Sequence, residues 1–282
     1  MALTRVAVLM AIYGRDDPKL FERAITSVLD QAKPLDIEVR VYLGVDGRLP
    51  EALERVVRQF EPRLFAVSRS RVNVGLAHTL NRLISLRRDE AFFFRMDADD
   101  VSLPGRFLAQ LTYMAERPDV DILGTAIIEE QTGSGERRVV EFARDPTDAR
   151  QSIAKRVPVA HPTVCLRARV LDRVGEYPTR RGNEDIAMWF ECMKAGFTFD
   201  NLPTPFLLFT VGKDFWNRRS FDKAFSEFAC YVRGIHSLEG WTWLYVYPVA
   251  RLAVRLSPTV ISKWFYGSRL RRLSAPPDWP HS

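Results

Sequence analysis

The chain has 282 residues, 46% hydrophobic and 11% aromatic, with 41 Lys and Arg against 35 Asp and Glu for a net charge of +6. That composition excludes a disordered, collagen-like or disulfide-dense protein, and the length suits one large α/β domain or a domain with an appendage. Residues 241–282 hold six basic side chains and one acid, so the first 240 residues are nearly neutral. A protein that works on nucleic acid more often spreads basic charge over its working face, so nucleic acid is not an expected partner.

Residues 6–12 form an apolar run after Arg5. No small-residue cleavage site follows and Arg15-Asp16-Asp17-Pro18 reads as a loop, so the run is a buried first strand rather than a signal peptide. Residues 18–31 carry Leu20, Ala24, Ile25, Val28 and Leu29 at helical spacing. A strand is predicted at 37–44, a helix at 51–60, a strand near 64–68, a helix at 76–86 and an apolar strand at 91–96. Strands alternating with helices predict a mostly parallel, Rossmann-like sheet with helices on both faces, whose ligands bind beyond the carboxyl ends of the strands. Further on come a helix at 104–116 with Pro104 in its first turn, a strand at 120–128, a hairpin turn at 131–136, a strand at 161–166 and a helix at 183–194 stopped by Gly196. Cys165, Cys192 and Cys230 are odd in number and widely spaced, which points to a reducing cytoplasm rather than a disulfide framework or structural zinc.

The residues at the strand ends could carry chemistry. They are Ala11-Ile12-Tyr13-Gly14, Val45-Asp46-Gly47, Asn73-Val74-Gly75 and Asp97-Ala98-Asp99-Asp100. Three carboxylates so close together raise one another's pKa unless a cation or water compensates. A hard divalent metal, Mn²⁺ or Mg²⁺, carrying a substrate phosphate is one solution. A solvated acidic turn in which Asp99 or Asp100 caps the next helix is the other. Asn183-Glu184-Asp185 likewise reads as an ordinary helix start or, with the acid on a rigid element, as a general base.

Taken together these motifs resemble the glycosyltransferase family 2 group of GT-A-fold enzymes, over residues 6–209. The resemblance also includes the helix ending Ser27-Val28-Leu29-Asp30-Gln31, and Leu76, Asn81 and Arg95. It implies metal-dependent transfer of a sugar from a nucleotide diphosphate donor, a UDP-sugar favoured, with inversion at the anomeric carbon. Asp46 would then accept from the uracil ring, and Tyr13, beside Ala11, would flank the base or ribose. Asn73 and Gly75 would let the backbone approach the nucleotide. Asp97 would face ribose or donor sugar, and Asp99, with Asp97, would hold the metal. Arg95 would steady acids or phosphates, unless it is a plain structural ion pair. Asp185 would be the base and Glu184 a sugar contact. His161 and Trp189 have two readings, acceptor contacts or buried core residues. No Gln-x-x-Arg-Trp follows the base, so processive synthases are poor guides. The ending Phe209-Thr210-Val211 leaves a third metal ligand undefined, and Lys213, Arg218 and Arg219 are candidates for the diphosphate. A sugar-1-phosphate nucleotidyltransferase shares the layout, but its glycine-rich signature after the first strand is missing. A non-catalytic membrane-associated scaffold of the same fold is the other alternative, against which stands the intact set Asp46, Asp97, Asp99 and Asp185.

The expected organisation is a catalytic domain over 1–215, with a nucleotide-binding half at 1–100 and an acceptor half at 101–215, followed by an amphipathic helical region at 216–282. Residues 221–235 have helical periodicity. Within 241–282, Trp241, Trp243, Tyr245 and Tyr247, then Arg251 and Arg255 four apart among aliphatic residues, then Lys263-Trp264-Phe265-Tyr266 and Arg269-Leu270-Arg271-Arg272, suit an interfacial helical tail on the cytoplasmic leaflet, where a lipid-linked acceptor would wait. Packing on the catalytic domain or a homodimer contact is the competing use. No run of 18 uncharged apolar residues occurs, so no spanning helix is expected.

Overall fold

A computed structural model describes residues 3–31, 36–179, 182–212 and 221–256, together with the backbone of 272–274. The first half alternates β1 (Thr4–Tyr13), α1 (Pro18–Leu29), β2 (Ile37–Asp46), α2 (Glu51–Phe60), β3 (Ala66–Ser70), α3 (Leu76–Ser85) and β4 (Phe92–Met96). β1 pairs in parallel with β2 and β4, and β2 with β3, in the order β3-β2-β1-β4. The continuous apolar reading of β1 has a simple cause. Val6, Val8, Met10 and Ile12 enter a core with Phe21, Ile25 and Val57, while Ala7 and Leu9 enter a second core on the opposite face with Leu80 and Leu83. A strand covered on both faces has no polar side. Each large aliphatic side chain fully buried there is worth roughly 1.5–3 kcal/mol.

The second half comprises β5 (Val101–Ser102), α4 (Arg106–Glu116), β6 (Ile122–Gln131), β7 (Arg137–Glu141), α5 (Pro146–Ser152), β8 (Cys165–Arg167), α6 (Ala168–Val174), α7 (Glu184–Lys194) and β9 (Phe199–Val211). After these come α8 (Phe221–Glu239), α9 (Val246–Leu256) and β10 (Arg272–Ser274). β8 lies antiparallel between β4 and β6, β6 and β7 form the predicted hairpin, and β10 pairs with β7. β9 runs parallel to β6 along its length and touches β5 near its end. By length of register the sheet is mostly parallel.

Several elements differ from expectation. Phe21, not Leu20, is the fully buried residue at the start of α1. β2 continues to Asp46, making that acid its last residue. The strand expected at 161–166 is reduced to β8, because Pro162, which has no N–H for a ladder, sits in a 3₁₀ turn over His161–Thr163. β9 was legible only at its end. Its prolines 203 and 205 fall where the β6 register shifts around Ala126, an irregularity that accommodates residues unable to donate.

The boundary expected at residue 215 does not divide the core. Cys230, Tyr231 and Ile235 of α8 belong to the same cluster as Leu80, Trp189 and Phe199. The Tyr231 and Phe190 rings meet edge to face at 5.9 Å, and a Cβ on Gly234 would come within 2.2 Å of the Phe190 ring, so only glycine allows this approach of α8 to α7. Arg251 and Arg255, expected to reach lipid phosphates, instead turn onto buried Glu227 at 3.1 and 2.7 Å. The cause is electrostatic: a buried carboxylate must be paired, and α9 supplies the charges. Packing on the catalytic domain is therefore what the inner face of this region does. Lys213, Arg218, Arg219, Lys263, Arg269 and Arg271 and the side chain of Arg272 lie outside the described residues. No described helix is long and apolar enough to cross a membrane.

Candidate active site

The parallel register brings the ends of β1 and β2 together, with Tyr13 opposite Asp46 and Ala11 opposite Gly44. Asp46 is buried, and its carboxylate accepts the Val74 and Gly75 N–H groups, both at 2.8 Å. The Asn73 side-chain amide donates to the Asp46 carbonyl at 3.3 Å. Asp46 therefore clasps the loop that opens α3, in addition to any base contact it makes. Gly75 has φ +97°, and a Cβ added there would meet nothing within 4 Å. Its backbone conformation calls for glycine, while the space above it is open.

At the end of β4 the carboxylate oxygens of Asp97, Asp99 and Asp100 lie within 4.8 Å of one another. Asp97 and Asp99 are partly exposed, whereas Asp100 is wholly buried. Asp100 Oδ1 accepts the Thr210 N–H from the end of β9 at 2.9 Å, and Oδ2 has no partner. Burial, with the charges of Asp97 and Asp99, pushes the Asp100 carboxyl well above the usual range. Arg95, also buried, forms an ion pair with Asp97. Behind it lies Arg106, fully buried, which donates to the Arg95 carbonyl at 3.0 Å and to Gln110 at 3.1 Å. The capping alternative for Asp99 or Asp100 is not realised, since α4 starts after Gly105 with no side-chain cap. An orphaned buried oxygen beside two accessible carboxylates is a donor set that fits a hard divalent cation. Asp100, which the DxD pattern passes over, and Thr210, which orients it, complete the cluster.

The third component opens α7. Asn183, just before Glu184, has φ 61° and ψ 32°, and is the only non-glycine residue at positive φ among the described residues. Asp185 is half-buried. Burial and the neighbouring Glu184 push its carboxyl up to about 6, against the pull of the Ile186 N–H and Arg95. The chain leading to α7 is held by Asn81 of α3, which donates to the Tyr177 carbonyl at 2.9 Å and accepts its N–H at 2.8 Å. Tyr177 OH lies 3.0 Å from His161 Nε2. Burial and the nearby Arg95 push His161 well below the imidazole range, so the ring is neutral. Trp189 is wholly buried, edge-on to His161 at 5.9 Å and to Phe199 at 5.8 Å. Both are buried, His161 in the 3₁₀ turn and Trp189 in α7, so neither offers an acceptor a face and both are core residues.

The family model Glycosyl transferase family 2 matches residues 7–175. The chain belongs to glycosyl transferase family 2. A second model, Glycosyl transferase family group 2, matches residues 92–270 and so takes in Asp185 and α8. The chain is similar to the amylovoran biosynthesis glycosyltransferase AmsE of Erwinia amylovora, at 28% identity over 92% of this chain and 97% of that one. It is also similar to the UDP-Gal:alpha-D-GlcNAc-diphosphoundecaprenol beta-1,3-galactosyltransferase of Escherichia coli, at 27% identity over 95% and 97%. Among solved structures it resembles S. aureus TarS 1-349 in complex with UDP (TM-score 0.63, 16% identity, 90% of this chain and 71% of that one). It also resembles the mannosyltransferase PcManGT of Pyrobaculum calidifontis in complex with GDP-Man and Mn²⁺ (TM-score 0.58, 16% identity, 94% and 79%). The GT-A architecture that the motifs imply is thus the one observed, and this family 2 member is a glycosyltransferase.

The Asp46 clasp has a direct test. Asp46→Asn replaces an acceptor by a donor opposite the two loop amides, which leaves one of them unpaired. It should cost about 1–3 kcal/mol in chemical denaturation and weaken nucleotide binding measured by calorimetry.

Proposed function

We propose that this enzyme transfers a single sugar, with inversion, from a nucleotide diphosphate donor to a hydroxyl of a glycan or lipid-linked acceptor in surface polysaccharide synthesis. The observation that carries this is the orphaned Asp100 oxygen beside Asp97 and Asp99, linked through Arg95 to a second acid, Asp185, whose carboxyl is tuned toward neutrality. A UDP-sugar is favoured, on the galactosyltransferase's name and the UDP in the TarS complex. The names of AmsE and of the galactosyltransferase support polysaccharide synthesis and a lipid-linked acceptor.

Asp97 and Asp99 would hold Mn²⁺ or Mg²⁺, with Asp100 as the third carboxylate. A cation there offsets negative charge on the departing diphosphate. The chain's own residues do the rest. The Asp46-clasped loop keeps Gly75 open to the nucleotide, and Tyr13, across the register from Asp46, flanks the base or ribose. Asp185 accepts the proton of the acceptor hydroxyl as its oxygen forms a bond to the anomeric carbon. The bond from that carbon to the diphosphate breaks on the opposite face, so no covalent enzyme intermediate is required. Glu184 keeps Asp185 poised and is available to a sugar hydroxyl.

A thermal-shift and hydrolysis panel of UDP-, GDP- and dTDP-sugars, with and without Mn²⁺, should show stabilisation by one nucleotide class only when Mn²⁺ is present; metal-independent binding would count against the mechanism. Asp185→Asn should keep donor binding and lose transfer by at least about a hundredfold. The base works ionised, so wild-type kcat should rise with pH through about 6 and level off above it, falling roughly tenfold per unit below.

We also propose that the enzyme works on the cytoplasmic face of the membrane, through α8 and α9. The support is no longer the two arginines but the apolar surface beside them. Of thirteen large hydrophobic residues exposed among the described residues, seven lie between 221 and 256, including Trp241 at 90% and Trp243 at 70% exposure. Two of them, Trp241 and Val249, line a groove of about 520 Å³ together with Phe228, Val232, His236 and Tyr245. An apolar patch of this kind, rich in tryptophan, suits the headgroup boundary of a bilayer. Trp241→Ser with Trp243→Ser should abolish co-sedimentation with anionic liposomes without altering donor binding; undiminished co-sedimentation would remove the proposal.

A further inference from the structure

Helix α8 contacts the residue that opens the helix of the proposed base. The left-handed backbone of Asn183 is one that most L-residues avoid and that asparagine tolerates at a modest cost, which neighbouring contacts can offset. Those contacts come from two successive turns of α8. The Asn183 side-chain amide donates to Ser226 Oγ at 3.4 Å, and the Cys230 thiol donates to the Asn183 carbonyl at 3.8 Å. Gly182, also at positive φ, faces Ser226 so that a Cβ there would lie 3.9 Å from its hydroxyl. These contacts are long and individually weak, so they act only if α8 is itself immobile. It is: Gly234 abuts Phe190, Tyr231 meets the same ring, and Glu227, next to Ser226, is tied to Arg251 and Arg255.

We propose that α8 completes the active site, with Ser226 and Cys230 as positioning residues that lock Asn183 in the left-handed turn and so aim Asp185 at the acceptor. Without this lock residues 182–185 relax to ordinary backbone angles, and the first turn of α7 rotates the carboxylate away. The role presupposes that Asp185 is the base proposed above, which the test treats separately.

The full-length enzyme, assayed with the donor selected by the panel of UDP-, GDP- and dTDP-sugars, is compared as wild type, Ser226→Ala, Ser226→Thr, Asn183→Gly and Asp185→Asn. Ser226→Ala should lower kcat about two- to threefold, the worth of one weak hydrogen bond, with donor KM unchanged. Hydrogen exchange at the amides of 184–186 should quicken while the rest of α7 is unaffected. Ser226→Thr, which restores the hydroxyl, should recover kcat. Asn183→Gly adopts the left-handed angles without strain yet lacks the side-chain bond, so it should lose kcat at undiminished melting temperature. Wild-type kcat and exchange in both Ser226→Ala and Asn183→Gly, with Asp185→Asn inactive, would overturn the role of α8 and leave the base intact. A parallel loss of kcat, donor binding and melting temperature in Ser226→Ala would reduce Ser226 to a structural residue. Normal transfer by Asp185→Asn would instead remove the base.

Discussion

A guanidinium buried as deeply as that of Arg95 must be neutralised where it stands, since removing an ion from water costs several kcal/mol that only close partners return. Asp97 supplies the counter-charge, and Arg106 holds the Arg95 carbonyl from below. The position of Arg95 decides much of what surrounds it. It orients one acid of the cluster, offsets the mutual repulsion of all three, draws Asp185 toward its ionised form and adds to the burial that keeps His161 neutral. Two buried arginines beneath three carboxylates leave one negative charge uncompensated when all three acids are ionised.

The two halves of the molecule are joined by a short series of directional bonds rather than by apolar packing alone. Asp46 fixes the start of α3 through two amides, and α3 presents Asn81, which grips the Tyr177 backbone at both its polar groups. Tyr177 meets His161 and lies a few residues before the turn at Asn183. Hydrogen bonds restrict angle as well as distance, so the loop at 73–75 and the start of α7 are held in defined relation although they are far apart in sequence.

The first hundred residues could be read because a strand buried on both faces and an amphipathic helix leave unmistakable local periods. Asp46, Asp97, Asp99 and Asp185 stand out as candidates for a related reason, being acids at the ends of apolar elements, although Asp46 and Asp97 also have structural partners. What stayed hidden depends on partners distant in sequence. Arg251 and Arg255 looked like a basic helix face because nothing nearby reveals Glu227, a buried acid on the preceding helix. Asp100 reads in sequence as one of three clustered acids or a helix cap, because the Thr210 amide that orients it comes from β9, 110 residues later. β9 itself was obscured by two prolines that are tolerable only where its partner's register slips. Trp189 and His161 are ambiguous in any sequence, since an aromatic suited to stacking on a sugar is equally suited to a core.

The Thr210 amide on Asp100 bears on how the enzyme is made. Synthesis runs from the amino terminus, and the nucleotide-binding strands emerge and pair first. The acid cluster stays unfinished until β9 has crossed back beside β6, and Asn183 is unsupported until α8 has emerged behind it. A nascent chain that has made only its first half therefore lacks the Thr210 amide on Asp100 and the α8 contacts to Asn183.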